Sequence, residues 1–108
     1  GTLGVVVEAT MRLSRPPGEL AVLVLGVPDM ACIMAVLRAF RGEIELSAFE
    51  FFSELALRKV IAHQGLQRPF ETPADYYALL EFELRDAQVM EQAMRLFEYC
   101  VEQGWVLD

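Results

Sequence analysis

Few residues in this chain could do chemistry, and the sequence holds them apart from one another. The single histidine, His63, follows Lys59 by one helical turn, and no second His or nearby Cys completes a metal-ligand set. It reads as a surface or helix-end residue. Glu81 and Glu83 share one face of an alternating stretch, where paired carboxylates could act as acid and base. With no further motif to fix their geometry, they read as a solvated strand face. Cys32 and Cys100 lie inside apolar helical patterns and read as buried free thiols. Reduced thiols fit a cytoplasmic compartment, or the mitochondrial matrix in a eukaryote. Gly1-x-x-Gly4 lacks the strand–turn–helix setting of a nucleotide loop. No catalytic residue and no metal ligand is assigned, and the residue types alone name no reaction.

Composition narrows the classes. A net charge of −7 argues against a nucleic-acid partner, because phosphate binding needs clustered Lys and Arg. A hydrophobic content of 55% over 108 residues suits one domain with one core. The longest apolar run, Leu20–Val27, is far short of the roughly 20 residues that cross a bilayer, so no transmembrane segment is expected. The chain opens on Gly1-Thr2-Leu3-Gly4, without Met and without a basic-then-apolar leader. That opening suggests a piece of a longer protein.

The elements that would position these residues follow from periodicity. Val5–Leu13 alternates, with Val5, Val7, Ala9, Met11 and Leu13 on one face, and reads as a half-buried strand. Ser14–Gly18, with Pro16-Pro17, breaks it and marks a plausible domain boundary. Leu20–Val27 is apolar on both faces and reads as a central strand. Asp29 is placed to cap a helix whose stripe is Met30, Ile33, Met34, Leu37 and Phe40, with Gly42 as a left-handed stop.

Ile44–Lys59 is ambiguous. Ser47-Ala48-Phe49-Glu50 fits a capping box that would start a helix at Ala48. The density of Phe and Ile instead favours a strand from about Ile44 to Phe51, with Ser53 capping a helix through about His63. Gly65–Ala74 reads as a loop. Tyr76–Leu84 is a second strong strand, Asp86 caps a long helix ended by Gly104, and Trp105–Leu107 begins one more strand. From Leu20 the order is β-α-β-(α)-β-α-β. The expected fold class is therefore α+β: a ferredoxin-like antiparallel sheet with helices on one face, preceded by an extra N-terminal strand. The other sheet face would then expose apolar area around Leu23 or its neighbours, Leu79 and Tyr77, and such area usually has a partner.

Three stretches together resemble a known family. Gly1-Thr2-Leu3-Gly4-Val5-Val6, running into Glu8-Ala9-Thr10-Met11-Arg12-Leu13, resembles the signature GTLGI-[IV]-T-x-A-T-L-x-L. That signature closes the FAD-binding domain of FAD-linked oxidases in the vanillyl-alcohol-oxidase superfamily. Leu46-Ser47-Ala48-Phe49-Glu50-Phe51 is similar to the segment opening the second cap strand in one branch of that family. The branch holds D-2-hydroxyglutarate dehydrogenase, D-lactate dehydrogenase and the glycolate oxidase flavoprotein subunit. Tyr76-Tyr77-Ala78-Leu79-Leu80-Glu81-Phe82-Glu83 resembles the branch's P-x-Y-x-L-[IVL]-E-x strand, with Asp75 where a proline is common.

The resemblance implies that residues 1–14 are the terminal strand of an FAD-binding domain and residues 15–108 a cap domain incomplete at its C-terminal end. It implies oxidation of a D-2-hydroxy acid (D-2-hydroxyglutarate, D-lactate or glycolate) to the 2-oxo acid, with hydride passing to FAD and electrons leaving to a second acceptor. Gly1, Thr2, Leu3, Gly4 and Val5 match the stretch that approaches the flavin, largely through backbone. The glycine-rich pyrophosphate loop, the substrate arginine and the His-containing motif of the family have no counterpart here. The partners implied are the remainder of the chain's own protein, the hydroxy acid and an electron acceptor, and these residues alone are expected neither to bind FAD nor to turn over substrate. Some of Phe49, Phe51 and Phe52 would face the cavity on the flavin side. The alternative is a free-standing ferredoxin-like regulatory or ligand-binding module, which would leave the Gly-Thr-Leu-Gly opening unexplained.

Overall fold

Each of the three strands is eight residues long, and each helix begins where a short polar side chain takes over its first free amides. A computed structural model describes residues 1–108. Strand β1 (Leu20–Val27) leads to helix α1 (Met30–Arg41), and β2 (Leu46–Ser53) runs directly into α2 (Glu54–Gln64). Strand β3 (Tyr76–Glu83) and helix α3 (Ala87–Glu102) follow. Asp29 accepts from the Cys32 amide at 2.8 Å, and that bond holds its carboxyl below the usual range. Ser53 accepts from Ala56, and Asp86 accepts from both Gln88 and Val89. All three caps fall where the sequence places them.

The sheet order is β1-β3-β2, antiparallel throughout. Ala78, Leu80 and Phe82 of β3, Leu25 and Val27 of β1, and Ile33, Val36 and Phe40 of α1 are buried together with Ala93, Leu96 and Cys100 of α3. Helices α1 and α3 therefore cover one face, as the split βαβ order requires. Helix α2 is different. It buries no residue fully and packs mainly against β2.

The bounds of β2 and the stop of α1 need correction, and the ambiguity at Ser47 resolves in favour of the strand. Strand β2 begins at Leu46 rather than Ile44, because the Glu43 and Ile44 amides both bond back to the Phe40 carbonyl and keep the chain turning. Ile44 still enters the core, from that turn. Gly42 caps α1 with φ −70, an ordinary right-handed conformation, so it is no left-handed stop. Ser47 opens no helix. It sits at an irregularity in the β2–β3 register, and its hydroxyl donates to Glu81 at 2.8 Å.

The extra N-terminal strand does not form within these residues. Gly1–Gly18 holds no helix or strand and is exposed throughout, because an alternating segment needs a neighbour to pair with and none of the three strands takes that place. Trp105–Leu107 is likewise not a regular strand. The chain end nevertheless lies beside β1: the Gly26 amide donates to Asp108 O at 2.6 Å, and the Leu107 amide donates to Gly26 O at 2.8 Å. This is the position of the fourth strand in a ferredoxin-like sheet.

Because Phe82 is wholly enclosed between sheet and helices, Phe82→Ala should lower stability by about 3–5 kcal/mol, whereas Val22→Thr on the uncovered face should change it by about 0.5 kcal/mol or less. Denaturant midpoints of the two variants check this.

Candidate functional site

The uncovered sheet face can be read from the register. Tyr77, Leu79, Glu81 and Glu83 alternate with the core residues of β3, and their cross-strand partners share their face. From β1 these are Leu20, Val22, Val24 and Gly26, and from β2 Ala48, Glu50 and Phe52. Val22 is 53% exposed and Leu20 40%. The face thus carries an apolar patch of Val22, Val24 and Leu79, with Glu81 standing between Val22 and Ala48 and Glu50 opposite Leu79.

Each carboxylate on β3 already has a partner. Glu81 accepts from Ser47. Glu83 accepts from the Gly18 amide at 2.7 Å and from Arg85 at 3.3 Å, and the Gly18 amide, then Arg85, hold it below the usual carboxylate range. Arg85 also reaches Glu45 at 2.6 Å. Glu81 and Glu83 therefore do not act on one shared proton. They are a solvated face tied down at separate points, as the sequence suggests.

At the other end of this face, the loop after α2 folds back over β3. Tyr77 is fully buried there, contrary to the expectation that it would contribute exposed apolar surface. Its ring lies between Phe52 and Phe70, with centroids at 5.2 and 4.7 Å and both pairs stacked. Gly26 is its cross-strand partner, and a Cβ there would stand 3.2 Å from Ala74 Cβ and 3.8 Å from the Tyr77 ring. A side chain there would press on Ala74 by a few tenths of an ångström, so glycine suits the position.

The phenol completes a closed network. Tyr77 Oη donates to Glu54 Oε2 at 2.8 Å. It accepts from Arg68 Nη2 at 2.7 Å and from the Ala74 amide at 3.3 Å. Arg68 also grips both oxygens of Glu54, at 2.9 and 2.7 Å. The Arg68 fork, then the Tyr77 hydroxyl, lower the Glu54 carboxyl to about 2. Burial, then the Glu54 hydrogen bond, push the Tyr77 phenol up. The network holds the loop, the start of α2 and the central strand together. Apart from Arg68 Nε, its polar atoms are taken up by one another, so it acts as a clamp. Sequence reading missed it, since Arg68 stands 14 residues from Glu54 and nine from Tyr77 with no periodic relation between them.

The sequence-predicted flavin-approach residues lie elsewhere. Gly1, Thr2, Leu3, Gly4 and Val5 are exposed, with Leu3 and Val5 open to solvent along their whole side chains. No heavy atom comes within 4 Å of where a Cβ would stand on Gly1 or Gly4. The structure brings none of them together with the sheet face. His63 is exposed in the last turn of α2, the helix-end place the sequence gives it. Cys32 and Cys100 are free thiols, half-buried and buried, and burial raises both. No three His, Cys, Asp or Glu residues stand close enough to hold a metal ion, and no helix is long and apolar enough to cross a membrane.

Of the three phenylalanines of β2, Phe49 packs on the core, Phe51 is 53% exposed, and only Phe52 lies on the uncovered face.

Comparison with known proteins places this geometry. Residues 16–108 match the family described as FAD linked oxidases, C-terminal domain. A D-2-hydroxyglutarate dehydrogenase of Stutzerimonas stutzeri is 58% identical over all 108 residues. One of Xanthomonas citri pv. viticola is 48% identical over the same span. The mitochondrial D-2-hydroxyglutarate dehydrogenase of Bos taurus is 36% identical over 84 residues, 75% of the chain. The chain spans 23% of the length of the two bacterial relatives and matches 15% of the bovine one.

The clamp has a signed pH dependence. The Glu54 carboxyl falls from its ordinary 4.5 to about 2 on folding, so its contribution is complete above pH 4.5 and is lost as pH falls toward about 2. Glu54→Gln should flatten the stability profile over that window, and Tyr77→Phe should cost about 1–2 kcal/mol at neutral pH. Urea titrations from pH 2 to 6 check both.

Proposed function

The chain belongs to the FAD-linked oxidase C-terminal domain family, and we propose that the full-length protein is an FAD-dependent dehydrogenase oxidising D-2-hydroxyglutarate to 2-oxoglutarate. The observation that carries this reading is 58% identity, over every residue of the chain, to a protein named for that activity. Among the three acids that the sequence resemblance leaves open, D-2-hydroxyglutarate is the one that three relatives carry in their names.

The reaction removes a hydride from C2 and a proton from the hydroxyl, and FAD, when bound, supplies the two-electron acceptor. In this reading residues 1–14 close the FAD-binding domain and residues 15–108 form part of the cap. The family match supports that division by starting at residue 16, inside the Ser14–Gly18 break. Gly1–Val5 are then the residues that approach the flavin, through backbone.

The uncovered sheet face is the cap surface that turns toward the rest of the protein. Its apolar patch of Val22, Val24 and Leu79 excludes water once that contact is made. Glu50, Glu81 and Glu83 make it a poor seat for a dicarboxylate dianion, since like charges across a few ångströms repel. The substrate carboxylates are therefore held by cations outside these residues, and this face contributes shape and desolvation. The protein acts in the cytoplasm, or in the matrix of a mitochondrion, and passes its electrons to a second acceptor.

Full-length protein, given D-2-hydroxyglutarate and an artificial electron acceptor, should reduce the acceptor with kcat/KM at least about tenfold above that for D-lactate or glycolate, the discrimination a single extra carboxylate contact provides. Equal rates on all three acids would remove the assignment. Residues 1–108 expressed alone should purify without flavin absorbance. A yellow preparation near one flavin per chain would contradict the division of the site.

A further inference from the structure

The chain enters the folded region at one point, and that point is tied to a carboxylate of the uncovered sheet face. Residues 1–17 are exposed, and the first hydrogen bond along the chain is made by the Gly18 amide, which donates to Glu83 Oε1 at 2.7 Å. The Leu84 amide donates to Glu19 O at 2.8 Å, and the β1–β3 ladder starts at once with Leu20 opposite Glu83. Glu83 is itself held from behind. Its side chain is only 21% exposed, its second oxygen accepts from Arg85 Nε at 3.3 Å, and Arg85 Nη2 reaches on to Glu45 at 2.6 Å. A Cβ on residue 18 would stand 3.0 Å from Glu83 Oε1, so glycine leaves the short bond its room. Just ahead of this anchor stand Pro16 and Pro17. Each proline fixes its own φ and keeps the residue before it extended, so the anchor joins the preceding segment through a stiff connection.

We propose that Glu83 is a positioning residue: its bond to the Gly18 amide, backed by Arg85 and carried through Pro16-Pro17, sets the angle at which the cap stands on the FAD-binding domain. That angle fixes how far the uncovered sheet face lies from the flavin. The inference rests on the division at residues 14 and 15 argued above. It gives a role to a carboxylate that neither the reaction nor the Tyr77 clamp uses.

The bond does little for the fold itself. The register of β3 is set by Ala78, Leu80 and Phe82 on the reverse side, and exposed ion pairs such as Arg85–Glu45 contribute little stability. Its use lies in direction. Glu83 stands on the uncovered face, so the anchor turns the Gly18 amide toward that face at the very place where the chain joins the sheet. Without it, the first fixed backbone would be Glu19, and residue 18 would become a free pivot between two domains. Hydride transfer is sensitive to such play, since a displacement of about 1 Å at the reacting atoms costs on the order of a hundredfold in rate.

Anaerobic stopped-flow reduction of the bound flavin by saturating D-2-hydroxyglutarate, on full-length protein, tests the proposal. Two alterations loosen the connection from opposite ends: Glu83→Leu removes the acceptor, and Pro16→Gly with Pro17→Gly softens a segment that makes no hydrogen bond in the fold. Each should slow flavin reduction at least about tenfold, with flavin per chain and the urea midpoint kept. Glu83→Gln, whose side-chain carbonyl still accepts from Gly18, should stay within about threefold of the unaltered protein. Visible circular dichroism of the bound flavin, which reads its surroundings without turnover, should change in the two slowed variants and not in Glu83→Gln. Unchanged rates in both variants would overturn the proposal. So would a slowing that only follows lost flavin or a lowered urea midpoint, since the bond would then be merely structural. If the unaltered protein reduces no flavin with D-2-hydroxyglutarate, the substrate assignment fails by itself. The circular dichroism then decides, and spectra identical to that of the unaltered protein overturn the role of Glu83.

Discussion

Strand β3 is hydrogen-bonded on both sides, and both halves of the structure depend on its alternation. Ala78, Leu80 and Phe82 are fully enclosed under α1 and α3, while Tyr77, Leu79, Glu81 and Glu83 look the other way. A slip of one residue would exchange these two sets and drive three charged or polar groups into the core. Buried apolar residues therefore fix the register, and the register decides where every carboxylate of the uncovered face stands. Glu81 meets Ser47, and Glu83 meets Gly18 and Arg85, because the core on the reverse side leaves them no other alignment.

The clamp at Tyr77 answers a different problem. Helix α2 has little apolar area to offer the core, and Leu55 and Val60 remain more than half exposed. The loop that follows it has the prolines of an irregular segment and no ladder of its own. Direction-specific contacts hold this region instead: a bidentate Arg68–Glu54 pair, a phenol bonded to both, and two aromatic rings enclosing the phenol. Arg68 and Glu54 are each about one-quarter to one-third exposed, so the pair avoids most of the desolvation cost that a deep ion pair would carry. One atom, Arg68 Nε, is buried without a partner. Four well-made bonds in the same cluster offset that loss.

What was legible in the sequence was whatever depended on near neighbours. Asp29, Ser53 and Asp86 act on amides two or three residues away, so type and position alone identified them as caps. The pleat of Tyr76–Glu83 followed from a period of two, and Leu20–Val27 from a continuous apolar run bounded by Pro28. Ser47-x-x-Glu50 shows the limit of such reasoning: a capping box and a strand fit the same four residues, and pairing with β3 decides between them. Gly42 shows another, since a glycine permits a left-handed turn without requiring one. The Tyr77 clamp was illegible because its members come from three segments and are joined only by the fold. The flavin-approach role proposed for residues 1–5 rests on family resemblance alone; nothing in their types or spacing points to a flavin.

The segments that sequence and structure leave in tension have a common physical form. Val5–Leu13 alternates like a strand but pairs with nothing here, β2 has one unpaired side, and the face around Val22 and Leu79 has no cover. Each is a surface prepared for burial. An alternating strand without a neighbour exposes a whole row of amides and half its side chains, and it loses backbone entropy with no contacts to offset the loss. The fold nevertheless holds, because its own core sits on the reverse side of the sheet, between β3 and the helices α1 and α3. That separation lets one side of the sheet supply stability while the other side and the β2 edge stay available. In the proposed cap domain the arrangement would have a mechanical use: the helix-backed core would keep the sheet rigid, so that the surfaces it offers would be held in register before anything meets them.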